Sequence, residues 1–214
     1  MLRRRPESNR EIPKESSSQD YRSTIVPRRH NYLAFFIYLN LTHSLNLLSI
    51  MILIYMVKKE TAYFGAGCFW HVELAFSNIK GITTRVGYIG GDEENYPNPT
   101  YKQVCTDQTG YAEAIEIVFD PNKISYKELL DIFWKSHDPT QLNRQGPDYG
   151  TQYRTAIFYL NEKQKKEAEE SKKIIEKKLG KKVMTKITKA GAFYPAEDYH
   201  QKYLEKRGLA ACPV

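Results

Sequence analysis

The fold is decided by the stretch Tyr63-Phe64-Gly65-Ala66-Gly67-Cys68-Phe69-Trp70, where an apolar run meets two glycines and a cysteine. Apolar side chains then return at positions 72, 75, 76 and 79, which is the spacing of a helix with one buried face. Gly81 marks the end of that helix. The stretch therefore predicts a strand, a tight turn and a helix that begins beside Cys68.

The position of Cys68 at a predicted helix N-terminus favours a reactive thiol. Unpaired N–H groups and the positive end of the helix dipole stabilise a thiolate and can bring the pKa of a cysteine towards neutrality. The alternative is that Cys68 is a small buried apolar residue, as many lone cysteines are. The turn by itself leaves both interpretations open.

The composition limits the class of protein. The chain has 214 residues, 41% of them hydrophobic, which is enough for one well-buried domain and an appendage. The basic residues behind its net charge of +7 lie mainly in the N-terminal tail and in a helix near residue 170. Neither region mixes aromatic with basic side chains as a stacking platform would, so we expect no nucleic-acid partner. The three scattered cysteines form no disulfide framework or zinc motif, so we expect no metal and no cofactor.

The chain divides into three parts. Residues 1–31 are basic and almost lack large apolar side chains, which predicts a disordered tail. Residues 32–56 are mostly apolar and long enough to span a bilayer, which takes about 20 residues. They are either a membrane anchor or the result of a mis-assigned start codon, with Met51 or Met56 as the biological start. Residues 57–214 are expected to form the functional domain without help from the preceding segment.

The order of predicted elements from residue 61 to 160 is β-α-β-β-α-β. Strands are predicted at 82–88, 112–119 and 152–160, and a helix follows the capping box formed by Ser125 and Glu128. Further predictions are a charged helix at 161–179, a strand at 183–188 and a helix at 196–207. The order predicts an α+β fold, namely a ferredoxin-like split β-α-β two-layer sandwich with long irregular loops. Long loops in a compact domain are the usual place for function.

The loops and strand ends carry side chains suited to thiol redox chemistry, and these side chains lie in six motifs. The motifs are Gly67-Cys68-Phe69-Trp70, Gly87-Tyr88-x-Gly90-Gly91, Thr109-Gly110-Tyr111-Ala112-Glu113, His137-Asp138-Pro139-Thr140, Asp148-Tyr149-Gly150-x-Gln152-Tyr153-Arg154 and Ala196-Glu197-x-Tyr199-His200-Gln201-x-Tyr203. In this order, over residues 60–204, they resemble the A-type peptide methionine sulfoxide reductases. The resemblance implies that residues 57–214 are a methionine sulfoxide reductase catalytic domain.

The resemblance also implies roles for single residues. The family's cysteine attacks the sulfoxide sulfur, which makes Cys68 the expected nucleophile. The two aromatic residues after it, Phe69 and Trp70, would form the pocket for the substrate methyl group. The family's two phenols, here Tyr88 and Tyr153, would hold the sulfoxide oxygen.

Two acidic residues complete the implied site. Glu113 matches the acid that protonates the sulfoxide oxygen, and Asp148 matches a residue that helps to position the substrate. The chemistry agrees, because a departing sulfoxide oxygen needs protons and a carboxylic acid kept neutral by burial can supply one. The alternative for Glu113 is an ordinary half-exposed residue at the start of a strand.

Two positions differ from the motifs as the family commonly has them. His71 stands where glycine usually follows the tryptophan, and Tyr111 stands where histidine usually precedes Ala-Glu. A protonated His71 could favour a thiolate on Cys68, or the imidazole could simply face solvent.

Turnover requires that the sulfenic acid left on Cys68 be reduced again. Cys212, in a C-terminal tail with little apolar bulk, lies near the place where the family has its recycling cysteine. Cys105 is the other candidate, but many relatives have a cysteine there without that role. The resemblance implies a disulfide between Cys68 and Cys212 that thioredoxin reduces, with glutathione-type reduction as an alternative.

These inferences predict a thioredoxin-dependent oxidoreductase for protein repair after oxidative damage. Its substrates would be oxidised proteins or free methionine sulfoxide, with the S epimer at sulfur consumed. We expect a cytoplasmic monomer, and attachment to a membrane through residues 32–56 is the alternative location. The competing functions are a membrane-tethered thiol redox sensor and a thiol peroxidase.

Overall fold

The computed structural model describes residues 59–210. The predicted tail at 1–31, the apolar segment at 32–56 and Cys212 lie outside these residues. Between residues 59 and 210, no helix is long and apolar enough to cross a membrane.

In the part of the chain that the structure describes, six strands form the main sheet and two form a small hairpin. The main strands are β1 (Glu60–Ala66), β2 (Ile82–Ile89), β3 (Ala112–Phe119), β6 (Thr155–Tyr159), β7 (Lys186–Lys189) and β8 (Phe193–Pro195). The hairpin strands are β4 (Arg144–Gln145) and β5 (Asp148–Tyr149). The strand predicted at 112–119 is confirmed, whereas the one predicted at 152–160 begins only at Thr155, after a short 3₁₀ helix (Thr151–Tyr153).

Five α-helices accompany the strands within the described residues. They are α1 (Phe69–Phe76), α2 (Tyr101–Val104), α3 (Tyr126–Lys135), α4 (Glu162–Leu179) and α5 (Tyr203–Lys206). The predicted capping box of α3 is confirmed, because Ser125 and Glu128 bond each other's backbone N–H groups. A second capping box, formed by Thr100 and Gln103, begins α2.

Strand β1 lies in the middle of the main sheet, between β3 and β6, and both neighbours are antiparallel to it. The full order is β7-β6-β1-β3-β2-β8, in which only β7 runs parallel to its neighbour. The prediction of an α+β fold with a mainly antiparallel sheet is confirmed. Strand β8 is an addition that the sequence pattern did not predict.

The main core lies between this sheet and helices α1, α3 and α4. Phe64 of β1 is fully buried, and its ring lies 6.1 Å from that of Phe76 in α1 and 5.0 Å from that of Phe133 in α3. Successive side chains of a strand point to opposite faces, so Tyr63 lies on the other face, where it stacks on Phe193 at 5.3 Å. The segment around β8 therefore covers part of the face that carries no helices.

The helix predicted at 196–207 is wrong for most of its length, because only Tyr203–Lys206 is helical. The amide side chain of Gln201 instead accepts from the backbone N–H of Val86 and donates to its carbonyl, both at 2.9 Å. Lys202 then has a φ of 52°, in the left-handed region. These tertiary hydrogen bonds to β2 override the helical preference of the local sequence.

Candidate active site

Cys68 lies at the N-terminus of α1, as predicted. Gly67 has a φ of 92°, which the turn from β1 requires, and Cys68 is the N-cap residue of the helix. Its carbonyl accepts hydrogen bonds from the N–H groups of His71 and Val72 at 3.1 and 3.3 Å. The half-buried thiol therefore lies at the positive end of α1, where negative charge on sulfur is favoured.

Glu113 lies beside the turn that carries Cys68. Its side chain is 1% exposed, so the half-exposed alternative is wrong, and its Oε2 atom accepts the N–H of Phe69 at 3.0 Å. Burial raises the pKa of Glu113 to about 8, the nearby charge of Asp148 adds to this, and the Phe69 hydrogen bond opposes it. At neutral pH the group is therefore mainly a carboxylic acid, which can donate a proton beside Cys68.

Tyr88 is brought to the same place by the strand register. It lies directly opposite Glu113 in the pairing of β2 with β3 and is fully buried. Its hydroxyl donates to Oε2 of Glu197 at 2.9 Å. Burial, followed by that hydrogen bond, raises the pKa of Tyr88, so the phenol stays protonated.

Tyr153 and Asp148 reach the site from the segment before β6. Ala66 at the end of β1 pairs with Thr155, which places the 3₁₀ helix and its last residue, Tyr153, beside the turn at Cys68. Burial raises the pKa of Tyr153, and the charges of Glu113 and Asp148 raise it further. Both acids therefore lie within electrostatic range of this phenol, although Tyr153 and Asp148 are only half-buried.

Phe69 and Trp70 form an aromatic wall on α1. Phe69 is buried, and the indole of Trp70 stacks on Tyr203 with ring centroids 3.7 Å apart and an angle of 6° between the planes. Trp70 Nε1 donates to Nδ1 of His200 at 3.2 Å. Burial lowers the pKa of His200, which favours the neutral ring that this hydrogen bond requires. His200 and Tyr203, in the C-terminal segment, therefore hold Trp70, which is part of the predicted contact surface for the substrate methyl group.

Four further residues contact the expected site residues and were not assigned roles from the sequence. Glu197 accepts from Tyr88 and also from the N–H of Tyr101 at 3.0 Å, and the ring of Tyr101 lies 4.4 Å from that of His200. Tyr203 supports Trp70 as described. The last sequence motif contains Glu197, His200 and Tyr203, and this membership was the sequence signal that could have identified them. Tyr101 lies outside all six motifs, so no signal in the sequence pointed to it.

The remaining predicted positions lie around this centre. Tyr111 is buried, and its hydroxyl donates to the carbonyl of Tyr96 at 3.1 Å. This hydrogen bond holds the loop after β2 in place. His71 and Cys105 are exposed. Among residues 59–210, no group of three or more His, Cys, Asp and Glu side chains is arranged to hold a metal ion.

A sequence model of the family described as Peptide methionine sulfoxide reductase matches residues 60–214. The peptide methionine sulfoxide reductase MsrA of Methanothermobacter thermautotrophicus is 52% identical over 158 residues, which cover 72% of this chain and 92% of that protein.

Solved structures give the same similarity. Mxr1 from Saccharomyces cerevisiae in reduced form has a TM-score of 0.69 and 38% identity, over 73% of this chain and 90% of its own. Methionine sulfoxide reductase A of Corynebacterium diphtheriae has a TM-score of 0.67 and 40% identity, over 72% of this chain and 78% of its own.

Proposed function

The chain belongs to the peptide methionine sulfoxide reductase family, and on that premise we propose that Cys68 reduces the S epimer of methionine sulfoxide, free or within oxidised proteins. The enzyme is an oxidoreductase that converts methionine sulfoxide to methionine. The assignment of Cys68 rests on one observation, the buried carboxyl of Glu113. This carboxyl is neutral below a pH of about 8, and it accepts a hydrogen bond from the backbone N–H of Phe69, the residue after Cys68.

In the chemical step, the Cys68 thiolate attacks the sulfoxide sulfur while Glu113 gives its proton to the sulfoxide oxygen. The attack forms a bond between the two sulfur atoms. This bond and the S–O bond of the substrate then break as the oxygen passes to Cys68, where it becomes the hydroxyl of a sulfenic acid and methionine is released. The methionine sulfur is thereby reduced by two electrons and the cysteine sulfur is oxidised by two. Glu113 then regains its proton from water.

Substrate binding is assigned to the aromatic wall and to Asp148. Phe69 and Trp70 are assigned to the methyl group on the sulfoxide sulfur: the half-buried Trp70 offers apolar contact, and the buried Phe69 packs beside it. The stacked ring of Tyr203 keeps the indole in place. Asp148 lies in the β4–β5 hairpin, and Gly67 lets this hairpin approach, since a Cβ atom there would lie only 2.6 Å from Cβ of Gln145.

The sulfoxide oxygen is assigned to the hydroxyls of Tyr88 and Tyr153. Tyr88 must turn its hydroxyl away from Glu197 to donate, so we expect it to contribute less than Tyr153. Tyr153→Phe should slow single-turnover reduction on the order of 10- to 100-fold, Tyr88→Phe should slow it less, and the double variant should be slower than either. Rapid-quench measurement of methionine release checks this order.

Tyr126→Phe is the matched control for these variants, because the hydroxyl of Tyr126 is buried in the main core with no hydrogen-bond partner among residues 59–210. It should react at the wild-type rate. A double Tyr88→Phe, Tyr153→Phe variant as fast as wild type would contradict the assignment of both phenols.

Recycling is assigned to Cys212 and thioredoxin. The Cys212 thiol would displace the hydroxyl of the Cys68 sulfenic acid as water, and a dithiol of thioredoxin would then reduce the disulfide. Cys212 lies outside residues 59–210, so its support is its place in the sequence and the family resemblance. Although Cys105 is exposed as a residue, partial desolvation of its sulfur raises the pKa of the thiol, which leaves that residue with less thiolate for the same task.

Cys212→Ser should release about one methionine per enzyme with thioredoxin and then stop, yet continue with dithiothreitol, which reaches the sulfenic acid directly. Methionine released per enzyme, measured with each reductant, checks this. Cys105→Ser is the control and should turn over with both reductants. The opposite pattern would assign recycling to Cys105.

We also propose that residues 57–214 are the catalytic domain and that the enzyme works in the cytoplasm. The family match begins at residue 60, and thioredoxin-type reductants keep thiols reduced in the cytosol. The comparisons give no support to the alternative function, a membrane-tethered redox sensor. A neutral acid beside the thiol, which a sensor does not need, favours an enzyme that removes an oxygen.

A further inference from the structure

The 3₁₀ helix that carries Tyr153 receives its cap from a distant loop. The residue before it, Gly150, has no side chain with which to cap the first turn. Instead, Oδ1 of Asp107 accepts the N–H of Thr151 at 2.8 Å, across 44 residues of sequence. The hydroxyl of Thr151 donates to the same oxygen. Asp107 therefore acts as the N-cap of this short helix.

Asp107 also has an unusual backbone conformation. Its φ is 62°, in the left-handed region that residues with a side chain rarely adopt. Such a conformation costs free energy and persists only when the surroundings require it. The carboxylate is otherwise exposed, so the contact with Thr151 is the feature that distinguishes this position.

The cap is one link in a continuous connection between the two phenols. Asp107 follows α2, and its N–H donates to the carbonyl of Val104, the last residue of that helix, at 3.2 Å. At the other end of α2, the N–H of Tyr101 donates to Oε1 of Glu197, whose Oε2 accepts the hydroxyl of Tyr88. A chain of hydrogen bonds and one helix therefore runs from Tyr88 to the 3₁₀ helix of Tyr153.

A second connection runs through Arg154, the residue after Tyr153. Its Nη1 atom donates to the carbonyl of Thr151 at 2.9 Å, and its Nη2 atom donates to that of Gly90 at 3.0 Å. Gly90 directly follows β2, the strand of Tyr88. Both connections meet at Thr151, in the same 3₁₀ helix as Tyr153.

We propose that Asp107 is a positioning residue for sulfoxide reduction, because by capping Thr151 it holds the Tyr153 hydroxyl at the correct distance from Tyr88. This inference rests on the proposed function, in which Tyr153 binds the sulfoxide oxygen. Asp107 itself contacts Thr151 and acts on the reaction only through Tyr153. Without the cap, the short 3₁₀ helix can shift, and a displacement of about 1 Å is enough to slow a reaction considerably.

Asp107→Gly removes the carboxylate while glycine suits the positive φ, so the fold should persist. We expect single-turnover reduction to slow about five- to tenfold, with little change in the midpoint of thermal unfolding. Asp107→Asn keeps an acceptor oxygen at the same place and should restore a rate near that of wild type.

Asn98→Gly is the matched control, because Asn98 is also exposed and also has a positive φ, of 54°, but lies on the other side of α2, before the helix begins. It should leave the rate unchanged. A loss of rate in Asn98→Gly as large as that in Asp107→Gly would overturn the proposal, since backbone loosening alone would then explain both.

A double-mutant cycle with Tyr153→Phe decides whether Asp107 acts through the phenol. In the Tyr153→Phe background, Asp107→Gly should change the rate by less than about twofold. An equal loss in both backgrounds, or no loss in either, would overturn the inference while leaving the function of Tyr153 intact, provided that Tyr153→Phe alone is slow. A Tyr153→Phe variant as fast as wild type would instead remove the proposed role of the phenol and the inference with it.

Discussion

Cys68→Ser is expected to abolish reduction of methionine sulfoxide. A serine hydroxyl at the N-terminus of α1 stays protonated and is a far weaker nucleophile towards sulfur than a thiolate. Loss of dabsylated methionine sulfoxide with dithiothreitol as reductant, resolved by chromatography, measures this. Wild type should consume the S epimer and leave the R epimer, and the variant should consume neither.

Cys105→Ser controls for the loss of a thiol close to the site and should keep the wild-type rate with dithiothreitol. The hydroxyl of Tyr101 forms a hydrogen bond with Cys105. If loss of this bond disturbed the fold, the Cys105→Ser control would also lose activity. Turnover retained by Cys68→Ser would exclude Cys68 as the nucleophile and with it the mechanism.

Glu113→Gln is expected to slow the chemical step by on the order of 10² to 10⁴, the usual contribution of a general acid. The amide fills the same buried space and can still accept the N–H of Phe69, so the fold should be kept, but it has no acidic proton to give. Single-turnover rates measure the chemical step directly. The control is Glu116→Gln, on the same strand but bonded to Tyr63 and Arg85, which should react like wild type.

The pH dependence gives a second, independent test of Glu113. Burial raises the pKa of Glu113 to about 8, so the carboxyl is protonated and able to act as an acid below that pH and is ionised above it. The rate of wild type divided by that of Glu113→Gln should therefore fall as pH rises through about 8. Taking the ratio cancels the titration of the thiol, which both proteins share. A ratio that is constant from pH 6 to pH 10 would mean that the phenols or water supply the proton.

The sequence was sufficient for the features that depend on neighbouring residues. The turn at Gly67, the start of α1 at Cys68 and the capping box of α3 follow from side-chain periodicity and from bonds within one helical turn. The resemblance in six motifs supplied the identities of the expected site residues. The strand at 112–119, which carries Glu113, was also predictable. It is rich in apolar and β-branched residues, and these are interspersed with two glutamates.

The tertiary structure alone decided the properties that make those residues a site. The neutrality of Glu113 depends on its burial by β2 and α1, and the hydrogen bond of Tyr88 to Glu197 joins residues 109 positions apart. The cap that Asp107 provides to Thr151 spans 44 residues of sequence, and the bond of Gln201 to Val86 spans 115 and replaced a predicted helix. A local pattern records the preferences of a few consecutive residues, whereas burial and long-range hydrogen bonds depend on which strands become neighbours and in which register, and no short stretch of sequence contains that information.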